Sequence, residues 1–130
     1  MHRVGGIEEV YYVPDFLSEA DAAAIEAQLI ASPPELWGQM AGRRVQECGS
    51  RMAPSGQGLL REELPPWMRA ITRRLLHHGA FPAVLPPNSV ALNEYRSGEG
   101  IAPHADGPIY APLVAIVSLG RFDCRDSAVT

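Results

Sequence analysis

The chain has 130 residues, 46% of them apolar, a formal net charge of −4 and two cysteines, Cys48 and Cys124. Such a length fits one domain with one core, and no apolar run approaches the roughly eighteen residues of a membrane span. Two cysteines are too few for a disulfide-stapled secreted scaffold, and MHRVGGIEEVYYVPDF lacks the basic start and apolar stretch of a secretory signal, so an intracellular setting, cytoplasm or nucleus, is expected.

Residues 8–16, EEVYYVPDF, read as a short strand halted at Pro14. A helix follows: Ser18 caps it, Asp21 stands three residues on, and Ala22, Ile25 and Leu29 make an apolar stripe. Pro33-Pro34 ends that helix. Residues 37–50 read as two strands around a turn at Gly42, and 53–58 as a loop. A second helix opens at Pro65-Pro66, carries Trp67, Met68, Ile71 and Leu75 on one side, and stops at Gly79. Residues 81–88 form an irregular, proline-rich connection. SVALNEY (89–95) alternates as a strand does, and the apolar, β-branched run LVAIVSLG (113–120) predicts a buried strand. Helices early and strands late predict an α+β fold or a sheet-based barrel, with helices on one face.

Charge is uneven along the chain. Residues 1–41 hold one arginine against seven acids, and residues 42–80 hold seven arginines against three acids. There is no lysine. The basic middle third suits phosphate oxygens, which guanidinium forks match, and it also suits a solvated face with no partner.

The chemistry-bearing stretch is NEYRSGEGIAPHADGP, residues 93–108. In an extended segment residues two apart point to one side, so His104 and Asp106 can present an imidazole and a carboxylate to one point. That is two thirds of the 2-His-1-carboxylate triad that holds non-haem Fe(II) with coordination positions left open. By itself H-x-D is also an ordinary surface pair in a turn. Asn93 and Tyr95 alternate on their strand and can offer N–H and O–H donors to carboxylate oxygens, or satisfy neighbouring backbone.

With its glycine-containing bend, the arrangement Asn93-x-Tyr95, Gly98, His104-x-Asp106 resembles the AlkB family of iron- and 2-oxoglutarate-dependent dioxygenases, and within it the homologue-six branch. VYYVPDFLS, LPPWM (64–68), LNEYRSGEGIAPHADGPIYAP (92–112) and VSLG (117–120) extend the likeness over most of residues 10–120. The resemblance implies an AlkB-like domain over residues 1–120 and a divergent tail over 121–130. The implied fold is an incomplete double-stranded β-helix, or jelly roll, with two N-terminal helices packed on one face. It implies Fe(II) held by His104 and Asp106, 2-oxoglutarate held by Asn93 and Tyr95, and O2 as co-substrate. The family couples decarboxylation of 2-oxoglutarate to hydroxylation of a C–H bond, commonly on an N-methyl group of nucleic acid or protein, and formaldehyde leaves. Arg43 and Arg44 stand where the family forms a lid over a nucleotide, and Tyr110 follows the metal motif. A solvent-facing hairpin and packing against the next strand are the alternatives for these three.

The family pattern also carries a second histidine and an arginine downstream. After Asp106 there is no histidine, and Arg121 and Arg125 come too early. His77 and His78 sit at a helix end, where positive charge suits the helix dipole. A C-terminally truncated, impaired dioxygenase is therefore expected. The alternatives are a non-catalytic truncated isoform that binds a partner or nucleic acid through residues 42–80, or misfolds, and another metal-bearing β-barrel such as a cupin, against which the scarcity of histidines counts. Trp37 and Trp67 read as core, and both cysteines as thiols without a role.

Overall fold

A computed structural model of the chain describes residues 9–120 together with the backbone of strand β1 (His2–Arg3). The chain divides into two compact units, one of Met1–Ser32 and Ser118–Thr130, the other of Pro33–Val117. The tail expected to diverge, 121–130, lies outside the described residues.

In the first unit β1 pairs antiparallel with β2 (Tyr11–Tyr12), His2 opposite Tyr12. Helix α1 (Glu19–Ile30) then opens where the sequence places a cap. The Ser18 hydroxyl accepts the Asp21 amide at 3.1 Å, and the Asp21 carboxylate accepts the Ser18 amide in return, so two amides that the helix leaves without partners are satisfied reciprocally. Of the expected stripe, Ile25 is buried, with Ala22 and Leu29 half-buried beside it.

In the second unit a 3-10 turn (Pro34–Leu36) leads into β3 (Gly38–Met40), which turns at Gly42 into β4 (Arg43–Gly49). Two short strands, β5 (Arg51–Met52) and β6 (Leu59–Leu60), form a ribbon around the loop 53–58, clipped by the bidentate Arg51–Glu62 ion pair. Helix α2 (Pro66–His77) runs on to Gly79, and β7 (Ser89–Glu94) returns to pair antiparallel with β4. The three-stranded sheet has the order β3–β4–β7. Among the described residues, two α-helices with antiparallel sheets give a mixed α+β architecture.

The β4–β7 register decides which side chains share a face. Arg44 lies opposite Glu94, Gln46 opposite Leu92 and Cys48 opposite Val90, while Val45 lies opposite Asn93. The first set points to one side and the second to the other. Helix α2 covers the first side: Met68, only 1% exposed, packs with Cys48 and Leu64, and Trp67, Val90 and Leu92 close around them. Gly49 ends β4 with φ at +79°, where a Cβ would stand 2.3 Å from the Asn88 carbonyl and 2.7 Å from Leu64. A residue with a side chain would therefore force apart the junction of sheet and helix.

One expected element is absent. Residues 113–120 form no strand, and Val114 and Ile116 are 63% and 86% exposed. An apolar β-branched run becomes a buried strand only when a neighbour supplies a hydrogen-bonding edge and a second layer, and among the described residues nothing pairs with it.

Candidate functional site

Asn93 lies near the end of β7 on the face that α2 leaves uncovered, Tyr95 follows just beyond the strand, and both are exposed. Alternation puts Arg43 and Val45 of β4 on that same face. Arg44 points the other way. Its guanidinium makes a two-pronged hydrogen bond to Glu94, with Nη2 at 2.9 Å from Oε1, and lies 4.5 Å over the ring of Trp37. The Glu94 hydrogen bonds raise the Arg44 pKa above its ordinary value. The two adjacent arginines thus have different environments: Arg44 is engaged by Glu94, whereas the half-buried Arg43 places one Nη on the Met40 sulfur at 3.8 Å and has a buried Nε without a partner.

The chain then bends. The Arg96 amide donates to the Glu99 carboxylate at 2.8 Å, and the Glu99 amide donates to the Arg96 carbonyl at 2.9 Å. Gly100 beyond it meets the hairpin tip: Gly42 has φ at +72°, and a Cβ there would lie 2.6 Å from the Gly100 carbonyl. The hairpin between β3 and β4 thus rests backbone to backbone on the segment that leads to His104.

His104 and Asp106 converge. The imidazole Nε2 is 3.8 Å from Asp106 Oδ1, with both side chains about half exposed. Nδ1 lies 2.9 Å from the Ala102 carbonyl. A carbonyl only accepts, so this contact places a proton on Nδ1, and Nε2 is the ring nitrogen turned toward the carboxylate. Metal-bound histidines are commonly oriented by just such a second hydrogen bond. One imidazole nitrogen and one carboxylate oxygen fit a divalent first-row cation, and their separation is somewhat wider than the roughly 3 Å of two donors sharing an ion. Among the described residues no group of three His, Cys, Asp or Glu side chains could hold a metal together.

Tyr110 lies in a turn, its amide donating to the Gly107 carbonyl at 3.1 Å, with the side chain 42% exposed. His77 closes α2 and His78 caps it, their rings edge to face at 6.4 Å. Reading residues by type passed over Glu94. The signal was in the spacing: the middle residue of N-x-Y must point away from its neighbours, toward whatever β4 carries on that side.

No protein-family model matches the chain. Over 117 residues it is 43% identical to the Danio rerio protein named "Probable RNA/DNA demethylase ALKBH6", a match that takes in 90% of this chain and 49% of that protein. The chain belongs to the AlkB family. It spans about half the length of the curated relative it matches. As an AlkB-family chain it carries the Asn93 of N-x-Y on the open face of its three-stranded sheet, Tyr95 just past the strand end, and H-x-D on the segment that follows. None of its described helices is long and apolar enough to cross a membrane.

Proposed function

We propose that the chain is the cofactor-binding part of an AlkB-type demethylase acting on nucleic acid, its sheet β3–β4–β7 forming part of a double-stranded β-helix. His104 and Asp106 would hold Fe(II), and Asn93 and Tyr95 would donate hydrogen bonds to the carboxylates of 2-oxoglutarate. When bound, the iron and its keto-acid partner supply the oxidation of an N-methyl C–H bond by O2. The chain's own residues bind and orient. Ala102 fixes the histidine tautomer, Asp106 supplies negative charge, and Asn93 and Tyr95 present two neutral donors on one strand face. Arg43, on that same face, would meet a substrate phosphate, while Arg44 with Glu94 and Trp37 holds the hairpin in register. Tyr110 is the further candidate for substrate contact. Within the described residues the chain would supply two of the metal ligands, His104 and Asp106.

The His104–Ala102–Asp106 geometry carries this reading. Isothermal calorimetry of the full chain with Mn(II) and N-oxalylglycine tests it. Heat of binding that is lost in His104→Ala, and weakened in Tyr95→Phe, is expected. No uptake by the unaltered chain, or uptake equal in His104→Ala, refutes it.

A further inference from the structure

A second charged surface lies on the other side of the sheet from Asn93. Helix α2 packs its Met68 side against Cys48, Val90 and Leu92, on the face opposite the one Asn93 occupies. Its solvent side is cationic. Arg69, Arg73 and His77 recur at four-residue intervals and are exposed, so they form one stripe of basic side chains about 6 Å apart along the axis. Arg74 adds positive charge in the last turn, and the first turn carries no acid. Residues 64–93 contain no aspartate or glutamate at all, in a chain whose net charge is −4. The nearest acids flank the helix outside this span: Glu62 is engaged by Arg51, and Glu63, 88% exposed, meets Arg69 at 2.9 Å. A solvated helix face in an acidic protein gains from mixed-sign i,i+4 pairs, yet the 12 residues of α2 hold three arginines and no acid.

We infer that the solvent face of α2 binds the phosphodiester backbone of nucleic acid, without regard to sequence or methylation, at a surface separate from the N-x-Y face. Three observations favour this partner. Arginine is the only strong cation used, and its fork matches phosphate oxygens two at a time. The stripe is linear, as a strand of phosphates is. A lipid surface would need an apolar face to insert, and that face of α2 is already occupied by the core. The inference stands independently of the demethylase reading, since it needs neither metal nor keto acid.

Fluorescence anisotropy with an unmethylated, labelled single-stranded DNA of mixed sequence, in EDTA and without 2-oxoglutarate, tests it on the full chain. Affinity should fall with salt. Arg69→Ala/Arg73→Ala should bind more weakly and lose about 1.4 from the slope of log affinity against log salt, roughly 0.7 for each phosphate contact removed on a single strand. Arg69→Lys/Arg73→Lys should keep the slope, and circular dichroism should show the helix intact in both. An unaltered chain that does not bind overturns the inference. So does a helix variant with an unchanged slope while Arg43→Ala/Arg44→Ala loses it, which would assign the contact to the hairpin. Polyglutamate binding as tightly as DNA, with the same dependence on Arg69 and Arg73, overturns it in favour of an acidic protein partner.

Discussion

Gly49→Ala should be far more damaging than Gly56→Ala, although both residues have left-handed backbone, at φ +79° and +72°. The new Cβ costs about 1–2 kcal/mol at either site from the left-handed conformation alone. At Gly56 that is the whole cost, because nothing lies within 4 Å. At Gly49 the Cβ also meets the Asn88 carbonyl at 2.3 Å, which already accepts the Ser50 amide at 2.8 Å. Moving that carbonyl loses a hydrogen bond of about 1 kcal/mol. Pushing back Leu64, 2.7 Å away and buried, adds an overpacking cost of about 1–3 kcal/mol. The gain from restricting the unfolded chain is common to both variants and cancels. Urea unfolding followed by tryptophan fluorescence should therefore place Gly49→Ala about 2 kcal/mol or more below Gly56→Ala. Equal losses would show that the junction of β4, α2 and β7 is not tightly seated and would refute the packing argument.

Met68→Ala should cost about 2–5 kcal/mol in the same assay, since Met68 is the only side chain among the described residues less than 2% exposed and it packs with Cys48 and Leu64. Burial raises the Cys48 thiol above its ordinary pKa, against smaller opposing effects of the Gln46 hydrogen bond and the Arg51 charge. A raised folded pKa means the fold favours the protonated thiol. Its contribution is therefore complete below the ordinary thiol value and lost as pH rises through it toward the folded value. Cys48→Ala should flatten that alkaline fall, and peptide-resolved alkylation near the ordinary thiol pKa should label Cys48 more slowly than in urea. Equal labelling rates would place the thiol at the surface.

Local chemistry made the boundaries legible. Ser18 with Asp21, Pro65-Pro66 and Gly42 each solve a problem set by the nearest few residues: an amide without a partner, a helix start, a tight reversal. The structure puts the elements where those residues say. Asn93, Tyr95, His104 and Asp106 stood out through the resemblance of their pattern to a family motif and not through local chemistry, since H-x-D by itself is an ordinary surface pair in a turn. What stayed hidden depends on partners distant in sequence. The Arg44–Glu94 pair spans fifty residues, and a charge sum over thirds of the chain sees both members without joining them. The two-residue ribbon of β5 and β6 is too short to alternate visibly. The run 113–120 has every local mark of a strand, yet a strand is defined by its neighbour, and composition does not say whether one arrives.

At the contact of Gly42 with Gly100, two peptide planes touch where side chains would normally intervene. Side chains can be exchanged for longer or shorter ones to absorb a change in spacing, and bare backbone cannot. Any lengthening or re-angling of the β3–β4 hairpin must therefore be felt at the approach to His104. The hairpin and the segment that carries His104 and Asp106 cannot be altered independently of one another.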